Sequence, residues 1–421
     1  MMVQPTTFTA LGLSQELALA AARHGFAEPT PIQRQAIPVV LQGTDLLGWA
    51  PTGSGKTAAF ALPLLQRLRQ GRKDTPRRVR ALVLVPTREL AAQVGEVVRR
   101  LAAPLAERFK VAIVFGGVSI NPQIMGLRGG ADIVLATPGR LLDLVAHNAL
   151  DLQSVQMLVL DEADRLLELG FADELARVLA LLPLKRQNLF FSATLGPQVQ
   201  ALVHGLLRTP AQVQASATPG AESVILQRAI QVDPGQRTAL LRHLITEQKW
   251  ERVLVFVATQ FAADRVAAKL YKSGLYATPF HGGMSQGART QVLAEFKQQQ
   301  WDVVVTTDLA ARGLDIAALP AVVNYDLPRS ADNYLHRIGR TGRAGASGVA
   351  LSFICAADEA HFRLIEKRQG LTVPREQMAG FETKELAVAE ALPDAMPGTG
   401  GIKGHRPSKK DKLRAAARQT S

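Results

Sequence analysis

Cysteine and aromatic residues are scarce in this sequence. Its 421 residues include one cysteine, Cys355, and aromatic residues make up 5% of the chain. A single cysteine excludes an intrachain disulfide framework and a cysteine-rich metal site, and it is typical of a protein from a reducing compartment. Because Cys355 follows the apolar run 349–354, we expect it to serve as a small buried apolar residue.

Long apolar runs are also missing. No uninterrupted apolar stretch approaches the ~20 residues that span a bilayer. Residues 1–9 have neither the basic start nor the apolar core of a secretory signal. The sequence therefore predicts a soluble cytoplasmic protein with no membrane partner.

The chain is long and basic. A guideline of about 150 residues per domain suggests two or three domains. Hydrophobic residues make up 47% of the chain, so most of it can fold. Forty-nine Lys and Arg against 36 Asp and Glu give a net charge of +13. This balance favours a polyanionic partner such as nucleic acid, although a merely soluble basic protein can carry such a charge too.

A glycine-rich loop lies between an apolar run and a helix-like stretch. It contains Thr52, Gly53, Ser54, Gly55, Lys56 and Thr57. The glycines let backbone N–H groups turn toward an anion, and the following helix adds a favourable dipole. Lys56 is placed to reach the outer phosphates of a nucleotide, and the Thr57 hydroxyl to hold Mg²⁺. The alternative is an ordinary Gly-Ser turn before a surface helix, which the specificity of the motif disfavours.

Short aliphatic runs alternate with amphipathic stretches along most of the chain. They are 81–85, 111–115, 133–136, 157–160 and 189–191, followed by 253–257, 277–280, 303–306, 322–325 and 349–354. Such strands must be covered on both faces, which predicts an α/β fold of parallel strands with helical crossovers. Several runs end in polar or Gly/Pro turns, and ligands bind at that edge of an open α/β sheet.

The alternation fails in two places. Residues 211–224 lack apolar periodicity, which predicts a linker between an N-terminal domain, 1–210, and a C-terminal domain, 225–370. The strands stop again before an extension, 371–421. Beyond Met396 this extension has seven Lys or Arg and a single acid. It is predicted to be a disordered basic tail, either a solubilising terminus or a tether for nucleic-acid phosphates.

Acidic residues follow the predicted strand 157–160, in the order Asp161, Glu162, Ala163, Asp164. Carboxylates at a strand end can meet Mg²⁺. In a nucleotide hydrolase, Asp161 would orient the metal through its water shell and Glu162 would polarise the attacking water. Acids are also common at helix starts, where they complement the dipole. The catalytic interpretation therefore depends on the phosphate loop.

The second half contains an arginine-rich stretch, 336–343, in which Arg340 and Arg343 lie on either side of a Thr-Gly turn. Guanidinium groups supplied from another domain can neutralise charge that develops on the γ-phosphate. Domain opening would withdraw them and stop hydrolysis. The alternative is a basic helix surface that meets solvent or a phosphate backbone.

Together these stretches resemble the DEAD-box ATP-dependent RNA helicases of superfamily 2, which have two RecA-like domains. The match runs from Phe8 to about Ile354. Residues 25–33, with Phe8 ahead of them, are similar to the family's adenine-sensing Q motif. The resemblance implies that Gln33 pairs with the adenine edge and that Phe26 stacks on the base. The alternative is that Phe26 is a core residue of a helical hairpin.

The resemblance also implies which residues contact RNA. They are Pro86, Thr87, Arg88, Gly116, Gly117, Thr137, Pro138, Gly139 and Arg140, and in the second domain His281, Gly282, Thr307 and Arg312. Taken singly, such stretches can also be ordinary turns. Because no aromatic residue interleaves with them, backbone contacts rather than base stacking should dominate the affinity for RNA.

Further roles follow from the resemblance alone. Gly313 and Asp315 would approach the nucleotide, with Asp315 near the ribose. The residues that would couple hydrolysis to unwinding are Asp164, Ser192, Thr194 and His336, and both hydroxyls are expected to bond Asp164.

The sequence departs from the family pattern at two positions. Pro51 occupies a variable position of the loop, and Gly283 stands where an Asp is common. One polar contact in the second domain is therefore expected to be missing. Beyond the core, residues 366–368 and 374–382 resemble the bacterial RhlE-type branch of the family.

We expect an ATP-dependent activity that separates RNA strands locally. ATP with Mg²⁺ and RNA would close the two domains, bend one strand and free its partner, and hydrolysis would reopen them. We expect a monomer that acts on single-stranded and duplex RNA. Ribosomal particles and the RNA-decay machinery are both expected as possible partners. Cold adaptation is a further pathway that the sequence leaves undecided. Two alternatives stay open, a superfamily 2 DNA helicase and an ATP-gated RNA clamp in a larger particle.

Overall fold

The computed structural model describes residues 7–50, 53–71, 75–214, 225–311, 316, 319–342 and 347–383. These residues lie within one compact unit, Met1–Glu385. Some of the predicted site residues lie outside the described ranges: Pro51, Thr52, Arg312, Gly313, Asp315 and Arg343. The basic tail lies outside them as well.

The first half forms a seven-stranded parallel sheet. Its strands are β1 Leu46–Trp49, β2 Ala81–Leu84, β3 Val111–Val114, β4 Ile133–Ala136, β5 Met157–Leu160, β6 Gln187–Ser192 and β7 Ala211–Gln214. Their order across the sheet is β3-β4-β2-β5-β6-β1-β7. Alternate residues of one strand enter different hydrophobic cores: Val83 packs in one, and Leu82 and Leu84 in the other. The continuous apolar runs are therefore explained by burial on both faces.

Helices cover both faces of this sheet. They are α1 Gln15–Arg23, α2 Pro31–Gln42, α3 Lys56–Gln70, α4 Arg88–Ala102, α5 Asn121–Gly126, α6 Pro138–Ala146, α7 Ala163–Glu168, α8 Ala172–Ala180 and α9 Pro197–Leu206. The starts of several are set by local chemistry. The Thr87 hydroxyl, for example, accepts a hydrogen bond from the backbone N–H of Leu90 at 3.2 Å and caps α4.

The second half forms another seven-stranded parallel sheet. Its strands are β8 Ile225–Gln231, β9 Val253–Phe256, β10 Ala277–Phe280, β11 Val303–Thr306, β12 Ala321–Asn324, β13 Gly348–Ile354 and β14 Arg375–Gln377, in the order β10-β11-β9-β12-β13-β8-β14. Its helices are α10 Arg237–Gln248, α11 Gln260–Lys272, α12 Gln286–Lys297, α13 Asp308–Ala311, α14 Ala331–Ile338 and α15 Glu359–Gln369, with a 3₁₀ turn at Ala356–Asp358.

Two edge strands change the predicted boundaries. The linker was predicted to begin at 211, but β7 (Ala211–Gln214) pairs with β1 and belongs to the first sheet. The strands were predicted to stop near residue 370, but β14 (Arg375–Gln377) pairs with β8. Both segments are short and largely polar, so they lack the apolar run that marks an interior strand. The rest of the predicted linker, 215–224, lies outside the described residues.

The C-terminal extension is held to α15 by a half-buried arginine. The Arg375 guanidinium forms ion pairs with Glu359 at 3.1 Å and Glu366 at 2.8 Å, and its Cζ lies 4.7 Å from the centre of the Phe362 ring. The hydrogen bond that Arg375 donates to the Glu366 carboxylate lowers the pKa of that carboxyl group.

Cys355, directly after β13, is buried as predicted, and burial raises the pKa of its thiol to about 11.

Among the residues with a described structure, no helix combines the length and apolar character that crossing a membrane requires.

All pairings within the two sheets are parallel, so the loops after β1, β5 and β6 meet at one edge of the first sheet, the edge formed by the carboxyl ends of its strands. The loops after β9, β10 and β11 do so in the second.

Candidate nucleotide and RNA site

The phosphate loop joins β1 to α3. Gly53 and Gly55 have positive φ angles of 84° and 93°, and Gly55 is the N-cap of α3. A Cβ added at Gly55 would lie 2.5 Å from Gln33 Nε2, so both conformation and space require glycine there. The Lys56 side chain is buried, and its Nζ donates a hydrogen bond to the backbone oxygen of Ala50 at 2.8 Å. The lysine therefore reaches back across the loop that it follows.

Gln33 connects the predicted Q motif to this loop. Its Oε1 accepts a hydrogen bond from the Thr30 N–H at 3.0 Å, and its Nε2 donates to the Gly55 oxygen at 3.1 Å. The side chain is fully buried. Each end of the amide thus makes one bond to the protein, and each retains the capacity for one more, because the oxygen can accept two hydrogen bonds and the NH₂ group can donate two.

The two aromatic residues predicted to contact the nucleotide differ in position. Phe26 is half-buried beside the first core, which leaves part of its ring accessible for stacking. Phe8 is buried within that core. In this structure Phe8 packs with core residues, so any effect on the nucleotide passes through them.

Asp161 and Glu162 directly follow β5. In the sheet, only β6 lies between β5 and β1, the strand that leads into the phosphate loop. The Glu162 N–H donates to Asp161 Oδ1 at 3.0 Å. Glu162 is the N-cap of α7, with φ 50° and ψ 51°. A glutamate in this left-handed conformation is strained, and strain of this kind concentrates at functional sites. The half-buried Glu162 side chain is held at the sheet edge, where a bound phosphate would meet it.

The Asp161 carboxyl is buried and close to Lys56. Burial raises its pKa to about 7, against the lowering effect of the Lys56 charge, while Glu162 adds to the rise. Asp161 is therefore poorly compensated without an additional cation. Its carboxylate and the Thr57 hydroxyl are hard oxygen donors of the type that Mg²⁺ prefers.

No cluster of three or more His, Cys, Asp or Glu side chains able to hold a metal occurs within the described ranges. Mg²⁺ bound together with a nucleotide usually takes one or two protein oxygens and several phosphate oxygens and waters. The residues present therefore fit Mg²⁺ with ATP, Thr57 and Asp161 being the protein groups that would hold the metal.

The raised pKa of Asp161 predicts a pH dependence of stability without nucleotide. Between about pH 4 and 7 the unfolded chain ionises this group first, so stability falls as pH rises through that window, by at most about 1.4 kcal/mol per pH unit. In thermal melts from pH 5 to 8, the melting temperature of the wild type should fall relative to that of Asp161→Asn up to about pH 7, and the difference should then level off. The exposed Asp151→Asn is the matched control. A difference that stays constant with pH would contradict the prediction.

Asp164 is bonded to the turn after β6. Its Oδ2 accepts hydrogen bonds from the Thr194 hydroxyl at 2.9 Å and from the N–H groups of Thr194 and Ala193 at 3.0 and 3.3 Å. The prediction that both hydroxyls bond Asp164 is wrong for Ser192, whose hydroxyl donates to the Thr194 oxygen at 2.6 Å instead. Ser192 shapes the turn, and Thr194 makes the contact.

Trp49 adds a connection that the sequence did not reveal. It ends β1, ahead of the phosphate loop, and its Nε1 donates to the Ala193 oxygen at 2.7 Å. The same Ala193 donates its N–H to Asp164. The strand that carries the phosphate loop is thus tied through one residue to the acidic segment. No pattern of residue types could have predicted this contact.

The predicted RNA-contact stretches of the first half lie at the same sheet edge. Arg88, at the start of α4, donates to the Gly117 oxygen at 3.3 Å. The Thr137 hydroxyl accepts from the Gly116 N–H at 3.3 Å. Arg140 is buried and donates to the Val118 oxygen at 2.6 Å. Pro86, Pro138 and Gly139 flank these residues at strand ends and helix starts. The three stretches therefore form one hydrogen-bonded surface.

In the second half, His281 is oriented by two neighbours. Its Nε2 lies 2.9 Å from Asp264 Oδ1, and its Nδ1 accepts from the Gly283 N–H at 3.2 Å. These bonds place the ring proton on Nε2. Gly282 beside it is exposed, whereas Thr307 is buried after β11. Asp264 was not predicted, because its role depends on α11 crossing to β10.

One residue of the arginine-rich stretch, Arg337, has a structural role that was not predicted from the sequence. Arg337 is buried and donates to both oxygens of Asp308 at 2.6 and 2.8 Å, to Asn324 Oδ1 at 3.1 Å and to the Asp326 oxygen at 2.6 Å. Arg337 therefore fixes the end of α14, and Arg340 follows two residues after that end.

Arg340 is nearly buried, and it lines a small cavity together with His336 and Arg337. Arg165, which follows the acidic segment on α7, lines the same cavity. The arginine-rich stretch of the second half thus lies next to the acidic segment of the first.

A second set of contacts joins the two halves at the starts of α4 and α12. Arg289 forms an ion pair with Glu89 at 3.1 Å, with side chains only 6% and 9% exposed. Gln286 accepts a hydrogen bond from Arg88 at 3.2 Å and donates to Glu89 at 3.4 Å. Burial lowers the pKa of Arg289, against the effect of Glu89. Glu89 and Gln286 were not predicted as site residues, since their partners lie far away in sequence.

The fold and the site define the class of protein: a nucleotide-binding α/β protein whose second parallel sheet brings arginines to the acidic segment of the first. Residues 30–202 match the family model described as DEAD/DEAH box helicase, and residues 236–345 match the helicase conserved C-terminal domain. The chain belongs to the DEAD/DEAH box helicase family.

Characterised relatives agree with this placement. The chain is 39% identical to the ATP-dependent rRNA helicase RRP3 of Gibberella zeae over 385 residues, 90% of this chain and 78% of that protein. It is also 39% identical to the ATP-dependent RNA helicase CshA of Listeria monocytogenes over 362 residues, 86% of this chain and 68% of that protein. The predicted RhlE-type branch is not the branch named in these relatives and stays a prediction.

Solved structures of the family confirm the fold. Mss116p bound to ssRNA and AMP-PNP superimposes with a TM-score of 0.80 at 29% identity, covering 89% of this chain and 80% of that one. Dbp5 of S. cerevisiae, bound to RNA and ADP BeF3, has a TM-score of 0.78 at 29% identity, covering 88% and 96%. The prediction of two tandem RecA-like domains is confirmed.

Proposed function

We propose that the protein is an RNA-dependent ATPase that unwinds short RNA duplexes or remodels RNA–protein complexes. The observation that carries this proposal is that Arg340 lines one cavity with Arg165, the residue that directly follows the acidic segment after β5. Arg165 and Arg340 line one cavity, so groups from both halves can complete one phosphate site. Family membership and the RNA-bound structures of Mss116p and Dbp5 support it.

In the proposed ATP site, each residue has a distinct role. The backbone N–H groups of the loop and the Lys56 ammonium would bind the phosphates, and Thr57 and Asp161 would hold Mg²⁺. The magnesium ion would supply charge neutralisation for phosphoryl transfer. Glu162 would take the proton of the attacking water, and Arg340 would stabilise charge on the outer phosphate. Of the two predicted arginine fingers, Arg343 lies outside the described residues.

The proposed RNA site spans both halves. The hydrogen-bonded surface of the first half presents Gly116 and Gly117 with Arg88, and the second presents His281 with exposed Gly282. Backbone N–H groups and small residues allow close approach of phosphates without reading base sequence. Binding should therefore weaken steeply with salt.

A comparison of ATPase activity with no nucleic acid, with single-stranded RNA and with DNA of the same sequence tests the proposal. We expect RNA to stimulate ATP turnover strongly and DNA to stimulate it weakly, because 2′-hydroxyl contacts distinguish the two. Equal stimulation by DNA would favour a DNA helicase. Multiple-turnover separation of a short RNA duplex then distinguishes a helicase from an ATP-gated clamp.

The contacts between α4 and α12 lead to a prediction about cooperativity. Glu89→Gln removes the charge that neutralises buried Arg289, so closure of the two halves should be less favourable. We expect the RNA concentration for half-maximal ATPase to rise about 5- to 150-fold, the range of coupling energies of about 1 to 3 kcal/mol. Steady-state ATPase at varied RNA concentration measures this.

Glu96→Gln is the matched control, since its ion pair with Arg100 lies on the same helix but is exposed. Arg289→Gln should add little to Glu89→Gln if the two residues act as a pair. Additive losses would show that the ion pair does not act as a unit. Melting curves of each variant separate lost coupling from lost folding.

The last part of the proposal concerns where the protein acts and on which RNA. We propose a cytoplasmic protein, which the lack of a membrane-spanning helix among the described residues permits. Ribosomal RNA is a proposed substrate, supported by the name of the Gibberella zeae relative. Crosslinking RNA to the protein in cells and sequencing it would identify the substrates.

A further inference from the structure

One exposed aromatic side chain lies at the proposed RNA site without a role in the fold. Phe261 is 74% exposed in the first turn of α11. It belongs to none of the hydrophobic cores built from the described residues. The helix start is already capped by the Thr259 hydroxyl, which accepts a hydrogen bond from the Ala262 N–H at 3.1 Å. Phe261 is therefore not needed to begin the helix.

The neighbours of Phe261 place it beside the loop that carries His281. Gln260, directly before it, lies against this loop: a Cβ at Gly283 would be 2.8 Å from Gln260 Oε1, and one at Gly282 3.5 Å from Gln260 Nε2. Asp264, three residues after Phe261, lies 2.9 Å from His281. Residues three apart share a helix face. Phe261 therefore lies on the part of α11 next to the 281–283 loop, in which Gly282 and Gly283 are exposed.

A protein that grips an RNA strand by its phosphates leaves the bases turned away from the gripping surface. Every base has a π face, so an aromatic ring beside the phosphate track can stack on a base of any identity. Stacking is worth about 1 to 3 kcal/mol per base by alanine substitution. A largely exposed aromatic ring at that position is suited to this use.

We propose that Phe261 stacks on an RNA base at the second-half end of the binding groove. This proposal rests on the proposed function and deepens it, because it adds a base contact to a site otherwise made of phosphate contacts. The contact does not depend on which RNA base is present. Backbone contacts would still supply most of the affinity, as the sequence predicts; Phe261 is distant from His281 in sequence, and only the packing of α11 against the His281 loop brings the two segments together.

The test measures the dissociation constant of the full-length protein for a uniform single-stranded RNA, with a non-hydrolysable ATP analogue, by fluorescence anisotropy. Phe261→Ala should weaken binding about 5- to 100-fold. Phe261→Trp should bind at least as well as the wild type. Phe261→Leu should resemble the alanine variant, because a branched aliphatic side chain cannot stack. Equal affinity of Phe261→Leu and the wild type would overturn stacking in favour of apolar contact.

Tyr271→Ala is the matched control. Tyr271 is 55% exposed and lies on the same helix, about 15 Å away along its axis. It should bind RNA like the wild type. An RNA carrying a single abasic site, moved stepwise along the strand, should find one position at which the wild type and Phe261→Ala bind equally. Failure to find such a position would overturn the proposal.

Failure of the proposed function looks different. Wild-type ATPase without stimulation by RNA would reject the RNA-dependent ATPase itself. If the ATPase is stimulated by RNA while Phe261→Ala binds RNA with wild-type affinity, only the stacking proposal is rejected.

Discussion

Replacing Glu162 with glutamine should leave a protein that binds ATP and RNA but hydrolyses ATP about 10²- to 10⁴-fold more slowly, the usual contribution of a general base. Glutamine keeps the size of the side chain and can hydrogen-bond a water, but it cannot take a proton. Glu162 sits in a strained left-handed backbone position next to buried Asp161. That geometry holds the carboxylate at the edge where a phosphate would be bound.

Single-turnover hydrolysis and the lifetime of the RNA complex should be measured together. Because hydrolysis is proposed to reopen the two halves, Glu162→Gln should hold RNA much longer than the wild type in the presence of ATP. Glu168→Gln is the matched control: Glu168 is exposed at the other end of α7, 3.4 Å from Arg165. Unimpaired ATP turnover in Glu162→Gln would reject Glu162 as the base.

Replacing Arg340 with alanine should have an effect of similar size, by a different route. An arginine that stabilises the charge of phosphoryl transfer contributes about 10³- to 10⁵-fold to turnover. Arg340 is buried, and Arg337 holds the helix that precedes it, α14, through bonds to Asp308 and Asn324. ATP binds mainly to the first half, so the affinity for ATP should change little while the maximal rate collapses.

The readouts for Arg340→Ala are the maximal ATPase rate and the ATP dissociation constant. Arg340→Lys should recover only a small part of the rate, since an ammonium group lacks the planar fork of a guanidinium. Arg329→Ala, an exposed arginine just before α14, is the control and should behave like the wild type. A variant that binds ATP weakly but turns it over at the normal maximal rate would contradict the assigned role.

The interior strands could be predicted from the sequence with bounds close to those observed. Residues 133–136 and 157–160 were expected as strands and form β4 and β5 with the same limits. Their side chains are buried on both faces, so the apolar run coincides with the strand. Edge strands lack this signal. β7 reads Ala-Gln-Val-Gln, and only backbone pairing with β1 identifies it.

The local chemistry of the site could be predicted, but its network of contacts could not. Glycine at position 55 and lysine at position 56 are required by any phosphate loop, whatever surrounds it. By contrast, the contact of Gln33 with Gly55 and that of Trp49 with Ala193 join segments that no spacing rule connects. The Ser192 hydroxyl was assigned to the wrong partner, because a turn of two residues decides which hydroxyl reaches Asp164.

By itself, the sequence determined the α/β class, the phosphate loop, the acidic segment after β5 and the arginine-rich stretch. Each of these depends on a short run of residues whose types are dictated by local backbone geometry or by charge. The tertiary structure decided which groups meet: Glu89 with Arg289 and Arg165 near Arg340 across the two halves, and Asp264 with His281 within the second half. Those meetings depend on how helices cross two separate sheets, and burial and packing over the whole chain set that crossing rather than any local pattern.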